Sequence, residues 1–293
     1  MPSIVYVNGR YRPRGEACVA VEDRGYQFAD GVYEVILSLG GRLLDAESHL
    51  DRLERSLREL RIAMPMSRRA LGTVMDRVLR LNRIESGTLY IQVTRGVAPR
   101  DHAFPAPDLR PSLVVAARRF DLAGLRRRQR QGIAINTLPD LRWRRCDIKS
   151  IALTGNVLAK QAAREAGAFE AWMVDEQGLI TEGASTTAWI VDQEGNLRTR
   201  ALGPEILPGI TRRVALDLAA ADNRRILEEP FTPAEAKAAA EAFTVSTTSF
   251  VTPVVSIDSA TVAEGKPGPV TRALIALHHE HVQAQTGVEL AAV

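Results

Sequence analysis

Apolar and polar positions alternate at the start of the chain. In IVYVNGRYRPR (4–14) the alternation runs into Asn8-Gly9 and resumes after it, which predicts a hairpin with a two-residue turn. The period then changes. Leu50, Leu53, Leu57 and Leu60 recur at helical spacing over 46–62, with charges on the opposite face. Leu71, Val74, Met75, Val78 and Leu79 repeat the pattern over 67–82. TLYIQVTRG (88–96) and SLVVAARRF (112–120) read as strands on either side of the Pro-rich loop 97–111. Strands and two helices therefore predict a smaller N-terminal domain over 1–121.

The charged stretch 122–130 reads as a linker to a larger C-terminal domain over 131–293. GIAINTLP (132–139) predicts its first strand, and a helix is expected near 154–166 with Leu158, Ala162 and Ala166 along one side and Gly167 as its stop. AWMVDEQGLITEG and TTAWIVDQEGNLRTR predict two hairpins with Gly-containing turns. TRRVALDLAAADN, the Ala-rich TPAEAKAAAEAF and the closing TRALIALHHEHVQAQ predict helices. Strands and helices mix without regular βαβ alternation, which indicates an α+β fold.

Composition narrows the class. The 293 residues are 45% apolar and 25% charged, with a formal charge of +3, the profile of an ordinary globular protein. No apolar run is long enough to span a bilayer, and MPSIVYVNGRY lacks the charged-then-apolar order of a secretory signal. Cys18 and Cys146 make no disulfide framework, so a cytoplasmic setting is expected. The basic run LRRRQRQG (125–132) has no interleaved aromatics and reads as solvated surface rather than a nucleic-acid site.

One charge stands apart from the rest. The chain has 38 Lys plus Arg, of which only four are lysine: Lys149, Lys160, Lys237 and Lys266. Lys237 has Glu241 four residues on, Lys266 lies in the turn EGKPG, and Lys160 sits beside Gln161 and Arg164, so solvation accounts for all three. Lys149 lies between Ile148 and Ser150, ahead of Ile151-Ala152-Leu153. A lysine in apolar surroundings is pushed toward its neutral form, and a neutral amine is a nucleophile or base, which arginine never supplies. The competing account is a side chain snorkelling from a strand edge or pairing with Asp147.

Seven segments around this lysine change the weighting: EDRGYQFADGVYEV (22–35), HLDRL (49–53), QVTRGVAPRDHAFP (92–105), RWRRCDIKS (142–150), TEGAST (181–186), LPGITR (207–212) and VSTTSFVTP (245–253). In this order and spacing the chain resembles the class IV (fold-type IV) pyridoxal-phosphate aminotransferases from about residue 4 to 275, and most of all the bacterial D-amino-acid transaminases. The resemblance implies a two-domain α+β fold with the cofactor at the domain interface. It implies that Lys149 forms the Schiff base with pyridoxal 5′-phosphate and shuttles the proton between Cα and C4′. Glu182 is implied as partner of the pyridine nitrogen, and Arg52, Ile210, Thr211 and Thr247 as phosphate ligands. Tyr33, Arg100 and His102 match the carboxylate trap of D-amino-acid transaminases, in which the Arg and His come from the neighbouring subunit, so a homodimer is implied. The expected reaction takes an amino group from a D-amino acid such as D-alanine and passes it to 2-oxoglutarate, giving pyruvate and D-glutamate. Branched-chain L-amino-acid and (R)-amine transaminases and aminodeoxychorismate lyase share the same fold, and the trap residues argue against them. The turn EGASTT differs from the commoner EGSSSN type, since Ala184 lacks a hydroxyl and Thr187 replaces an amide; Phe250 stands where a charged residue can occur. Two further signals carry less. HHEH (278–281) has no HExxH spacing for a metal, and Cys146 lacks a histidine partner for nucleophilic chemistry.

Overall fold

The computed structural model describes residues 3–105 and 107–291, and the chain groups into two compact units. The first contains the residues up to Phe120 together with Ile148–Ala152 and Gln285–Val288. Its strands are β1 (Ile4–Val7), β2 (Arg10–Pro13), β3 (Gly31–Leu39), β4 (Arg42–Leu43), β5 (Gly87–Thr94) and β6 (Ser112–Arg119). They form one antiparallel sheet in the order β2-β1-β6-β5-β3-β4. The Asn8-Gly9 turn pairs β1 with β2 in the register Val7 to Arg10, as the alternation predicted. A short helix α1 (Arg24–Phe28) precedes β3, capped by the Asp23 side chain on the Gly25 amide; the sequence reading left it out.

Helices α2 (Ala46–Glu59) and α3 (Arg68–Leu81) bring their apolar stripes to this sheet. Leu53, Leu57, Leu71, Val78, Ile36 and Leu89 are fully or almost fully buried in one core. Each such side chain contributes about 1.5–3 kcal/mol by leaving water. The buried face of α2 also carries His49, Arg52 and Ser56, three polar residues placed between its leucines. The main-chain amide of Asp45 donates to Gln285 at 2.9 Å and the Gln285 amide donates back to the Asp45 carboxylate at 2.7 Å, which ties 285–288 to this unit.

The Lys149 pentapeptide belongs here rather than to the C-terminal domain where the sequence reading placed it. Tyr33 N–H donates to the Lys149 carbonyl at 3.0 Å, Ile151 N–H donates to the Gly31 carbonyl at 3.1 Å, and Val32 bridges Ser150. Ile148 inserts into the first core. Gly31 permits the approach, because a Cβ there would lie 2.7 Å from the Val93 carbonyl oxygen and 3.1 Å from the Ile151 side chain. Such long-range pairing leaves no local periodicity to read.

The second unit contains Asp121–Asp147, Leu153–Ala284 and the residues from Glu289. The expected linker 122–130 is instead helix α4 (Leu122–Gln131). Leu125 and Gln129, four apart, are fully buried, and Gln129 donates to the Val251 carbonyl at 3.0 Å. Two buried positions one turn apart suffice to hold a helix whose other faces are arginine. The elements that follow are β7 (Ile133–Pro139), α5 (Thr154–Glu165), β8 (Glu170–Val174), β9 (Ile180–Gly183), β10 (Thr187–Val191), β11 (Leu197–Arg198), α6 (Ile210–Ala221), β12 (Ile226–Leu227), α7 (Pro233–Ala238), β13 (Glu241–Ser246), β14 (Phe250–Ile257), β15 (Ala260–Thr261) and α8 (Pro269–Thr286). Their sheet is mixed, in the order β12-β11-β10-β13-β14-β7-β8-β9, with β15 on β14.

Two expectations fail in register. Leu158 faces outward at 59% exposure, and Ala159 and Ala163 are the buried positions of α5. Small alanines pack against β8, so the largest apolar side chain was a poor guide to the buried face. The segment 232–243 is not one helix: α7 ends at Ala238 and β13 starts at Glu241. Lys237 pairs with Asp258 at 2.8 Å, while Glu241 accepts from the amides of Val270 and Thr271 at the start of α8. Lys160, expected to be merely solvated, pairs with the buried Glu170 at 3.2 Å. Among the described residues no helix is long and apolar enough to cross a membrane.

Candidate active site

In the first unit, β3 alternates its side chains between two faces. Val32, Glu34 and Ile36 are buried, and Tyr33 between them is only half-buried. Pairing of β3 with the 148–152 segment sets Lys149 beside Tyr33, and the lysine Nζ lies 4.3 Å from the centroid of the Tyr33 ring. The amine makes no ion pair among the described residues. The Lys149 amide is held by Ser56 Oγ of α2 at 3.3 Å. Tyr33 in turn packs on Tyr90 with ring centroids 5.7 Å apart. Burial pushes the Tyr90 phenol up to about 12, and its hydroxyl donates to Gln92 at 2.6 Å.

On the other face of β3, Glu34 is fully buried and gathers two residues of α2. Arg52 donates through Nε to Oε1 at 2.7 Å and through Nη2 to Oε2 at 2.9 Å, and His49 Nδ1 lies 2.8 Å from Oε2. Burial alone would raise the pKa of Glu34, but the charge and hydrogen bonds of Arg52, with those of His49, prevail and hold it at about 2. Burial lowers His49 below the usual imidazole value, helped by Arg52 and Lys149 and opposed by Glu34. Arg52 is thus fixed on Glu34, a partner the sequence reading did not give it.

Arg100 and His102 lie on an exposed loop, and both rest on Phe28. The Arg100 guanidinium carbon is 5.1 Å from that ring and the His102 ring 5.3 Å. Among the described residues, no hydrogen bond or ring contact joins either to Tyr33.

In the second unit, Glu182 ends β9 and enters a tight turn. Gly183 N–H donates to the Thr186 carbonyl at 2.7 Å, and a Cβ at Gly183 would lie 2.1 Å from Thr186 Oγ1, so glycine is required. The Glu182 carboxylate is nearly buried and takes a short bond from Arg142 Nη1. It also accepts from the Leu207 amide at 3.2 Å. Arg142 spends Nε and Nη2 on Asp140 at 2.9 and 2.7 Å and reaches the Glu205 carbonyl at 3.0 Å. Burial would raise Asp140, yet Arg142 and Thr181 hold it below the normal range.

Leu207 leads into α6, whose N-cap is Gly209 with no side-chain cap, so the Ile210 and Thr211 amides begin the helix uncapped. A Cβ on Gly209 would approach Thr187 Oγ1 at 3.2 Å, and Thr187 pairs with Val245 in the β10–β13 ladder. Thr247 follows two residues later in the turn between β13 and β14. Glu182, Ile210 and Thr211 are thus joined by the Leu207–Gly209 segment, with Thr247 on the adjacent hairpin. Thr186 Oγ1, in the turn after Glu182, is buried without a hydrogen-bond partner.

Arg142, Glu34, His49 and Ser56 were missed from sequence. Glu34 carried a signal, since it shares the period-two stripe of Val32 and Ile36. Arg142 carried none: it is one arginine of three in RWRR, distinguished only by what folds against it. Cys146 donates its thiol to the Trp143 carbonyl at 3.0 Å, and burial pushes that thiol up to about 12, away from nucleophilic thiolate chemistry. His278 packs against Phe250 at 4.7 Å.

Comparison with known proteins bears on the family and the fold. A D-alanine aminotransferase of Staphylococcus haemolyticus is 39% identical over 283 residues, covering 96% of this chain and 99% of that protein. One from Bacillus licheniformis is 41% identical, covering 92% and 93%. Among solved structures, the branched-chain amino acid aminotransferase of Escherichia coli superposes with a TM-score of 0.89 at 24% identity, covering 99% of this chain and 97% of that one. A hypothetical aminotransferase from Mycobacterium tuberculosis in its PLP-bound form gives 0.82 at 21% identity, covering 96% and 99%. Both likenesses concern the fold. The amino-transferase class IV model matches residues 31–257. With more than half of its length so matched, and relatives near 40% identity along almost all of it, this chain belongs to the class IV aminotransferases.

Proposed function

We propose that this protein is a pyridoxal-phosphate-dependent D-amino-acid aminotransferase acting on D-alanine and 2-oxoglutarate. The observation that carries the reading is the Lys149 amine, free of any carboxylate among the described residues and set 4.3 Å from the Tyr33 ring, in a chain about 40% identical to D-alanine aminotransferases. The residues present fit the cofactor. Lys149 offers a primary amine, Glu182 an anionic acceptor, the uncapped start of α6 two amide donors for a phosphate, and Thr186 a buried hydroxyl without a partner.

When bound, pyridoxal phosphate supplies an electron sink for the charge that develops as the substrate Cα–H bond breaks. Lys149 would hold the cofactor through its primary amine and, as a neutral amine, would serve as the base for the substrate Cα proton. Arginine could do neither, since its guanidinium keeps its proton. Glu182 would face the ring nitrogen, its carboxylate fixed in place by Arg142 and the Leu207 amide. Ile210, Thr211 and Thr247 would receive the phosphate, the first two through the main-chain amides at the uncapped start of α6. Tyr33, Arg100 and His102 bind the substrate carboxylate, the arginine as a two-pronged donor.

The resemblance to D-amino-acid transaminases supports a homodimer in which the partner's Arg100–His102 loop completes the trap. Exposed apolar side chains near that loop, Val21 at 76% and Tyr26 at 79%, favour the same assembly. A cytoplasmic location is the setting in which the two free thiols, Cys18 and Cys146, stay reduced.

The test is the visible absorbance of the cofactor-loaded protein titrated with D-alanine, L-leucine and an (R)-arylalkylamine, each without a keto acid. Bleaching by D-alanine with release of pyruvate is expected. Bleaching by L-leucine or the amine alone overturns the substrate assignment, and a protein with no visible band overturns the enzyme reading.

A further inference from the structure

Arg100 and His102 sit on an exposed loop, yet buried groups grip that loop at both ends. Arg24 is 3% exposed, and its Nη1 donates to the carbonyl of Asp101, between the two trap residues, at 2.5 Å. The same guanidinium lies 4.9 Å from the Phe28 ring, on which Arg100 and His102 also rest. Arg24 Nε binds Asp30 Oδ2 at 2.8 Å. Asp30 simultaneously receives Arg95 through Nε at 2.7 Å and Nη2 at 2.9 Å. Arg95 is fixed from behind by the carbonyls of Leu60 and Arg61. Its guanidinium then lies 3.8 Å from the ring of Phe104, with Arg61 4.7 Å from the same ring. Asp30 is thus a half-buried hinge pin: one arginine runs from it to the middle of the loop, the other to its far end. Burial would raise Asp30, but hydrogen bonds and charge from Arg95 and Arg24 hold it ionised below the normal range, so the pin stays charged.

We infer that Arg24, Asp30 and Arg95, acting through Phe28 and Phe104, form a latch that presets the Arg100–His102 loop for the substrate carboxylate. The latch residues are positioning residues that do not touch substrate. Their contribution rests on reading Arg100 and His102 as carboxylate donors. A loop ordered before substrate arrives loses less conformational freedom on binding, so the latch acts on substrate affinity more than on the chemical step. Five charged or aromatic side chains committed to one surface loop have no evident purpose in core packing, since Phe104 remains 49% exposed.

Phe104→Ala is the informative variant, because so exposed a ring can be removed without opening the core. Hydrogen–deuterium exchange of the 98–105 peptide is expected to accelerate about tenfold or more as the loop opens locally. KM for D-alanine is expected to rise about tenfold, the factor lost with one cation–π contact, and kcat to stay within about twofold. Phe104→Trp, which keeps a ring face for Arg95, is expected to restore both. Arg100→Ala runs in parallel. If it leaves KM for D-alanine unchanged, the carboxylate reading of the loop fails and the latch falls with it. If Arg100→Ala raises KM while Phe104→Ala and Arg24→Lys leave exchange or KM unaltered, the trap stands and the latch is overturned. A fall in kcat equal to the rise in KM, unrelieved by Phe104→Trp, shows a general structural defect and overturns it equally.

Discussion

Lys149 Nζ lies 4.3 Å from the ring centroid of Tyr33, and the main-chain carbonyl of Lys149 accepts from the Tyr33 amide at 3.0 Å. The two residues are joined twice, through backbone and through side chain, although 116 positions of sequence separate them (149 − 33). The backbone bond fixes where the amine emerges; the ring face, electron-rich, accepts a cation at a stabilisation of about 0.5–2 kcal/mol.

Charge alone does not explain Lys149, and a substitution separates charge from amine. Lys149→Arg retains a cation over Tyr33 but offers no primary amine. Transamination is expected to fall by at least about 10³-fold, with loss of the visible band of lysine-bound cofactor. Stability is expected to change by less than about 1 kcal/mol, because the residue is only half-buried and has no ion partner to abandon. Retained activity in Lys149→Arg would sink the Schiff-base assignment.

Arg142 joins Asp140 to Glu182 in a nearly buried setting, its side chain 5% exposed. Removing one member of such a network leaves buried charge uncompensated, at a cost of about 3–5 kcal/mol. Arg142→Leu is therefore expected to lower the urea midpoint strongly and to depress kcat with it, while Asp140→Asn/Arg142→Leu together cost less than the sum of the singles. Strict additivity in that double-mutant cycle would show that the two groups do not act as one unit.

How far the sequence carried the fold depends on where the information lay. Amphipathic stripes such as Leu50-Leu53-Leu57 and turn signals such as Asn8-Gly9 are local, and the elements they indicate are present within a residue or two. Leu125 and Gln129 were obscured by the arginines around them, and Ala159 and Ala163 by a larger leucine, because burial is decided by what packs opposite. At the site, Lys149 and Glu182 could be singled out by chemistry and resemblance. Arg142, Ser56 and Asp30 could not, since each is defined by partners 40 to 93 positions away (Arg142 to Glu182, Asp30 to Arg95, Ser56 to Lys149).

Gly183 tests whether the turn after Glu182 sets the carboxylate. A Cβ at that position meets Thr186 Oγ1 at 2.1 Å and the Thr186 carbonyl at 3.0 Å, and the backbone there has little room to yield. Gly183→Ala is expected to cost about 1–3 kcal/mol of stability, as overpacking does. It is also expected to lower kcat by displacing Glu182. Gly183→Ala/Thr186→Gly, which removes the obstructing hydroxyl, is expected to recover most of the loss. No recovery would mean that the strain lies elsewhere.

Stability should depend on acidity in two separate windows. His49 and His279 both lie below the ordinary imidazole value of 6.5 in the folded protein. Burial is the main cause for each, and His279 falls to about 4 with Arg126 adding repulsion. The unfolded chain therefore takes up protons at these sites first, so stability present above pH 6.5 is lost progressively as pH falls toward 4. Glu34 shifts in the same direction at lower pH: its folded value of about 2 lies below the unfolded 4.5. Its pairing with Arg52 is fully stabilising above pH 4.5 and is lost as pH falls from 4.5 through 2. Calorimetric Tm values are thus expected to be level above pH 7, to decline between 6.5 and 4, and to drop more steeply below 4.5. His279→Gln, which can still bond Gln129, should shrink the upper window to the share of His49 and leave the lower one unchanged. Glu34→Gln should flatten the lower window and start from a reduced Tm at neutral pH, because Arg52 then faces a neutral amide. A wild-type Tm that stays constant from pH 7 to 4.5 contradicts the neutral buried histidines. A lower window unchanged in Glu34→Gln contradicts the carboxylate pairing.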